Sequence, residues 1–364
     1  MPEIRKDMEK IRLKDIADSL GVSQSTVSRA LDGSSKISEK TITAIRKKAR
    51  ELGYEPPTIT RINRQAAPIH IAVLCPYDIF FETVIAGMNA AREEFKAFNV
   101  HIDYKFFAIY DVVEQTKQLR EITADTHYNG IAIAPAHSVM LDPLIDELVE
   151  NGKHVVTFNT DAPHSARSLY IGQNAFAASS IAAQICGSQL RQGEDVAVIN
   201  SFSPTMALKD RTEGFLNFIN NNYPFVKALG PFDFNDTIEN ARDITEQIIL
   251  MNKDIKAIYA NNMVGTIGSA RAVEVTGNRG RILVFGHDGN DEIERFIKEG
   301  IIFATVLQEP FRQGYQSIRL LLKRLIYGTK PGRQYFYTKA DLLMKSTLEF
   351  QKTAIDAEMI EGDA

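Results

Sequence analysis

Leu13-Lys14-Asp15-Ile16-Ala17-Asp18-Ser19-Leu20-Gly21-Val22-Ser23-Gln24-Ser25-Thr26-Val27-Ser28-Arg29-Ala30-Leu31 reads as two short helices joined by a tight turn. Ile11, Leu13, Ile16, Ala17 and Leu20 recur at helical spacing, and Gly21 ends the run. Ser23 is suited to cap a second helix over residues 24–31, with Val27, Ala30 and Leu31 turned inward. Gln24, Ser25, Ser28 and Arg29 then face outward. Asp32-Gly33 stops that helix, and Ser38 can cap a third carrying Ile42, Ile45, Ala49 and Leu52 on one face, ended by Gly53. Two short helices with a glycine turn, braced by a third, make a helix-turn-helix, whose polar second helix fits a DNA major groove.

Charge follows the same division. Residues 1–66 hold 14 Lys/Arg against 9 Asp/Glu, leaving 28 against 37 for the rest, so the net charge of −4 averages a +5 head and a −9 body. A basic head attracts phosphate. At 364 residues, 44% hydrophobic and 24% charged, the chain exceeds one ordinary core and is neither disordered nor fibrous. The charged N-terminus and the lack of an 18-residue apolar run lead us to expect a cytoplasmic protein with no membrane partner. Cys75 and Cys186 fall in apolar patterns and are expected to be reduced and buried.

The run 13–31, with Ile37-Ser38, Thr41 and Leu52-Gly53-Tyr54-Glu55-Pro56, closely resembles the DNA-binding headpiece of LacI/GalR-type transcriptional regulators. The resemblance implies that Gln24, Ser25 and Arg29 read base edges, Arg and Gln being able to contact guanine and adenine bidentately. It implies phosphate contacts or positioning for Ser23, Thr26, Ser28, Lys36 and Tyr54. Ser23 caps its helix in any case. Pro56, Pro57 and Pro68 bracket a linker poor in core residues. In the family this segment forms a hinge helix on DNA and wedges a Leu into the minor groove. Asn63 stands at the wedge, and Pro57 and Thr60 replace the usual Asn and Ala. Either the operator is bent less or the hinge binds by another geometry, with Arg61 and Arg64 available to phosphate.

From Ile69 onward, strand-like runs at 69–74, 102–107, 130–135 and 155–158 alternate with helices beginning near Glu82, Val113 and Asp142. A second round has strands at 196–200, 228–232, 257–260 and 282–285. This is α/β alternation in two doubly wound units, behind an all-α head. Open parallel sheets bind ligands beyond the carboxyl ends of their strands. Tyr77, Asp78, Phe80 and Phe81, then Asn159 and Asp161, Arg211, Asn261 and Asn262, and Asp288 occupy such places.

The body is similar to the periplasmic sugar-binding-protein fold of the same family, its ribose-binding-like branch, through Phe80-Phe81, residues 155–158 and 209–215, Ala260-Asn261-Asn262, Gly286-His287-Asp288-Gly289 and residues 304–310. The likeness implies that Phe80, Phe81 and Phe234 stack on a sugar face while Arg211, Asn262, Asp288 and Gln308 bond its hydroxyls. The family's Asp-Arg pair is Asn159-Thr160 here, an Asn is Ala134, and the aromatic before the Asp is His287. Asp161 is the candidate to replace the lost carboxylate.

The expected domains are a headpiece (1–56), a hinge (57–67) and a core (68–364), the core split into one subdomain of about 68–172 plus 309–337 and another of about 173–308 plus 338–364. No phosphate loop, dinucleotide fingerprint or nucleophile elbow is present. The seven histidines have no spacing that suggests a zinc site, so no metal, cofactor or catalytic residue is expected. The function expected is a DNA-binding repressor controlled by a monosaccharide or polyol-like effector, a homodimer on a near-palindromic operator. The alternatives are a constitutive repressor using a protein cofactor and a sugar-modifying enzyme fused to a DNA-binding head.

Overall fold

The computed structural model describes residues 12–31, 37–52 and 67–348. Lys36, Tyr54, Arg61 and the rest of the hinge through Ala66 lie outside the described residues.

The N-terminal unit consists of α1 (Leu13–Leu20), α2 (Gln24–Leu31) and α3 (Glu39–Glu51). Asp15 closes the start of α1, its Oδ2 accepting from the Arg12 amide at 2.6 Å. Gly21 ends α1 with φ 64°, a left-handed conformation that costs a residue without Cβ little. Ser23 Oγ accepts from the Thr26 amide at 3.1 Å, and Ser38 Oγ from the Thr41 amide at 3.2 Å. Ile16, Val27 and Ile45 are fully buried between the helices, each stabilising the unit by about 1.5–3 kcal/mol.

The body contains two sheets. One holds β1 (Ile69–Pro76), β2 (Val100–Phe107), β3 (Tyr128–Ile133), β4 (His154–Phe158), β5 (Leu169–Gln173) and β11 (Tyr335–Thr338). Its order is β11-β5-β4-β3-β1-β2, all parallel. The other holds β6 (Asp195–Ser201), β7 (Ala228–Phe234), β8 (Ile255–Ala260), β9 (Leu283–His287), β10 (Ile302–Gln308) and β12 (Ala340–Met344). Its order is β12-β10-β9-β8-β6-β7, with β12 antiparallel. Around them lie α4 (Ile79–Glu94), α5 (Val112–Ala124), α6 (Asp142–Glu150), α7 (Ala175–Gln189), α8 (Met206–Asn222), α9 (Ile238–Met251), α10 (Met263–Val275), α11 (Asp291–Lys298) and α12 (Pro310–Tyr327). Central strands such as β1 and β8 are buried on both faces, as parallel strands sandwiched by helices must be.

Four strands, β5 and β10–β12, add to those expected from the apolar runs. α4 starts at Ile79 rather than near Glu82 because Asp78 caps it, Oδ1 accepting from the Phe81 amide at 3.0 Å. After β10 the chain returns to the first sheet through α12, which packs tightly on α4. A Cβ on Gly87 would lie 2.0 Å from the Phe311 carbonyl oxygen, and one on Gly314 1.8 Å from that of Val84, so only glycine permits this approach.

Gln173 fastens the places where the chain crosses between the sheets. Its Nε2 donates to the carbonyls of Leu307 at 2.8 Å and Lys339 at 3.3 Å, joining the end of β5 to the two other crossings. Cys75 and Cys186 are buried free thiols, and burial, reinforced by Asp78, pushes the Cys75 thiol up to about 12. No helix among the described residues is long and apolar enough to cross a membrane.

Candidate functional site

The carboxyl ends of both sheets face one another across a cavity of about 160 Å³. From the first sheet it receives Asp78, Phe80 and Phe81 after β1, Tyr110 after β2, and Asn159 and Thr160 after β4. From the second come Arg211 on α8, Asp236 after β7, Asn262 capping α10, Asp288 after β9 and Gln308 at the end of β10. Among the described residues, five that are not glycine have positive φ, and four of them, Tyr110, Asn159, Asp236 and Asp288, line this cavity. Backbone held in a costly conformation just after four of the twelve strands, β2, β4, β7 and β9, is the pattern of a functional cleft.

Polar groups in the cavity are linked in series through the buried Gln313 behind it. Gln308 Nε2 donates to Asp288 Oδ1 at 2.8 Å, Gln313 Nε2 to Gln308 Oε1 at 3.3 Å, and Asn159 Nδ2 to Gln313 Oε1 at 3.3 Å. This chain runs from one sheet to the other. Arg211 Nη1 donates to the Asn261 carbonyl at 3.1 Å and lies 3.9 Å from Asp288 Oδ2. Arg211 Nε and Thr160 Oγ1 are buried and have no hydrogen-bond partner among the described residues, although both residues line the cavity. Asp236 Oδ1 accepts from Asn262 Nδ2 at 2.6 Å and from Ser201 Oγ at 2.9 Å.

Burial raises the Asp78 carboxyl above its usual range, and the facing Asp288 and Asp236 carboxylates add to that shift. Tyr110 reaches across the cavity to Ser201, Ser203 and Asp236, and burial, then the Asp236 charge, pushes its hydroxyl up to about 12. Phe81 and Phe80 pack edge to face with ring centroids 5.4 Å apart. A depression of about 380 Å³ lies instead at the amino-terminal ends of β3 and β4, beside Lys153 and His154. The strand-end cavity is the better candidate because it gathers the strained backbone and the unpaired polar atoms.

In the headpiece Ser23, Gln24, Ser25 and Arg29 are exposed along α2, with Thr26 and Ser28 half-buried. Arg29 is folded back along its own helix, Nε donating to the Ser25 carbonyl at 3.1 Å and Nη2 to Ser25 Oγ at 3.3 Å.

Residues 12–57 match the model of the bacterial regulatory proteins of the lacI family, and residues 71–330 that of a periplasmic binding protein domain. The chain belongs to the periplasmic-binding-protein domain family through its body, and it carries a DNA-binding domain of the lacI family at residues 12–57. It is 25% identical over 250 residues to the ribose import binding protein of Haemophilus influenzae, covering 66% of this chain and 80% of that one. Identity is also 25% over 268 residues with the D-ribose/D-allose-binding protein of Pseudomonas aeruginosa, covering 70% and 81%. An Agrobacterium vitis solute-binding protein solved with D-fucose shares the fold at TM-score 0.71 and 23% identity, covering 77% of this chain and 97% of that one.

Of the nine ligand residues expected from the sequence, the cavity brings together Phe80, Phe81, Asn159, Arg211, Asn262, Asp288 and Gln308. Two lie elsewhere. Asp161 does not enter the cavity: its carboxylate is buried and taken by Arg167, Nε to Oδ1 and Nη2 to Oδ2, each at 2.5 Å, with further bonds from Thr157 Oγ1 and the Ala162 amide. Phe234 does not stack in the cavity either. It is 2% exposed within the second sheet's core, its ring so close to α10 that a Cβ on Gly265 would meet it at 3.1 Å. His287 is buried with Nε2 2.9 Å from Tyr259 Oη and 3.2 Å from Ser179 Oγ. Tyr110, Thr205 and Asp236 were missed, and the signal was available: each is a polar residue in the loop after a strand, just ahead of a helix.

The histidines also call for a correction. Sequence spacing showed no cluster, yet strand pairing gathers His70, His101 and His127 at the amino-terminal ends of β1, β2 and β3.

Proposed function

We propose that this chain is a sequence-specific DNA-binding repressor whose body binds a monosaccharide or polyol between its two sheets. A homodimer reading a near-palindromic operator in the cytoplasm completes the proposal. The observation that carries the ligand is Arg211: a buried guanidinium with an unpaired Nε, beside Asp288 and Gln308, in a cavity floored by Phe80 and Phe81. A hydroxyl can accept from the guanidinium while donating to the carboxylate, and an aromatic ring covers the apolar face of a sugar. The names of the relatives, ribose-binding and ribose/allose-binding, support the same ligand class.

Three carboxylates, Asp78, Asp236 and Asp288, share the cavity with the single guanidinium of Arg211. That balance disfavours sugar acids and sugar phosphates and favours neutral polyols. Closure of the sheets on ligand would alter how the paired subunits present their headpieces. Exposed Tyr77, Phe106, Ile109 and Val113, on and near edge strand β2, supply apolar surface suited to a second copy. A DNA-binding family and a solute-binding family together support regulation rather than catalysis.

A thermal-shift panel of neutral monosaccharides, polyols, sugar acids and sugar phosphates, followed by operator binding with each hit, tests the proposal. A neutral sugar that raises the melting temperature and changes operator affinity is expected. No hit in any class, or a hit that leaves operator affinity unchanged, overturns it.

A further inference from the structure

We propose that His70, Asp103 and His127 form a binding site for a zinc-class divalent ion at the end of the first sheet remote from the cavity. The three offer ligand atoms that all lie within 4.8 Å of one another. Parallel pairing produces this convergence. His70 on β1 is in register with His101 on β2, Asp103 follows two residues along β2 on the same face, and His127 immediately precedes β3, where Tyr128 pairs with His70. No sequence spacing announces the site, because its ligands come from two strands and the turn ahead of a third.

The orientation of His127 favours a metal over a solvated surface histidine. Asp125 Oδ1 lies 2.5 Å from His127 Nδ1 and also accepts the His127 amide at 3.0 Å. With Nδ1 turned to that carboxylate, the other ring nitrogen, Nε2, faces Asp103, 3.9 Å from its Oδ2. A carboxylate behind a histidine that faces a second ligand is the arrangement that orients imidazoles on zinc. Tetrahedral bonds of 2.0–2.1 Å put donors about 3.3 Å apart, so movements of up to about 0.9 Å in each of the three partly exposed side chains close the set from 4.8 Å. The His70 imidazole makes no hydrogen bond among the described residues and meets only the rings of His101, centroid 4.9 Å away, and His127, centroid 4.7 Å away. Two neutral imidazoles and one carboxylate, with water completing the shell, suit zinc or its neighbours rather than magnesium or calcium.

An ion held there clamps the first turn of pleat in β1 to edge strand β2 and to the entry of β3. His70 is only three residues beyond Ala67, the last residue of the expected hinge, so the clamp fixes the start of the body where the linker joins it in sequence. Asp125 is a positioning residue and Asp103 a ligand.

The test uses the full-length chain without an affinity tag, stripped with chelator and titrated with zinc against a chromophoric competitor, and with cobalt for its visible absorption. One zinc per chain is expected, with an intense tetrahedral-type cobalt spectrum and a melting temperature that rises with zinc. His70→Ala and His127→Ala should each weaken zinc at least tenfold while leaving the metal-free melting temperature in place. Asp125→Asn should weaken it 10–100-fold without changing the stoichiometry. Absence of saturable binding at one ion per chain overturns the proposal. So does zinc binding that both histidine variants leave intact.

Discussion

Arg167 and Asp161 form a two-point ion pair, Nε to Oδ1 and Nη2 to Oδ2, both at 2.5 Å, with side chains only 2% and 10% exposed. The pair fixes the loop between β4 and β5, and Arg167 Nη1 extends it to the Gln334 carbonyl ahead of β11. Removing one member strands the other charge in the interior. Arg167→Met is expected to destabilise the body by about 3–5 kcal/mol in denaturant titrations. Sugar affinity of the folded fraction should change less than threefold. An unchanged stability with lost affinity would return Asp161 to the binding site.

Asp288 presents one oxygen to Gln308 and the other toward Arg211. Asp288→Asn keeps the shape and removes the charge. Loss of a charge-assisted hydrogen bond to a hydroxyl costs about 1.5–3 kcal/mol, or roughly 10–150-fold in Kd by calorimetry. A loss under threefold would mean that the ligand does not touch this carboxylate.

Arg29 lies exposed along α2 and leans on Ser25, from which it can swing to a base edge. Arg29→Ala is expected to weaken operator binding by about 1–3 kcal/mol and relax preference at one base position. Binding-site selection on randomised DNA measures both. An equal loss on operator and random DNA assigns Arg29 to phosphate instead.

His287 remains neutral in the folded body, because burial and then the charge of Arg211 hold its pKa well below 6.5. Once unfolded, the same imidazole takes up a proton near its ordinary value, so the stability it contributes is present above about pH 6.5 and is lost as pH falls. The expected slope is at most about 1.4 kcal/mol per pH unit. His287→Gln, which has no titration, should flatten the fall of melting temperature between about pH 7 and about pH 5.5. An identical pH profile in the variant would locate the proton uptake elsewhere.

Local patterns carried much of this molecule. Gly21, Ser23 and Ser38 mark helix ends through interactions made within three or four residues, so the headpiece was legible before any coordinates. Apolar runs likewise announced the buried strands, and the rule that ligands gather beyond strand ends led to Phe80, Arg211 and Asp288. Less regular strands escaped: β11, Tyr335–Thr338, is mostly exposed or half-buried and joins the sheet only by pairing with β5.

What the sequence by itself determined was therefore the order of elements, the headpiece and eight of the residues that line the cavity, since each rests on short-range periodicity, capping or a strand's end. Tertiary structure alone decided where individual side chains point. Asp161 turns to Arg167 and away from the cavity, Phe234 turns into the core, and Asp236 takes its place at the mouth of β7. His70, Asp103 and His127 meet for the same reason: strand register joins residues far apart in the chain, and no local interaction encodes that register.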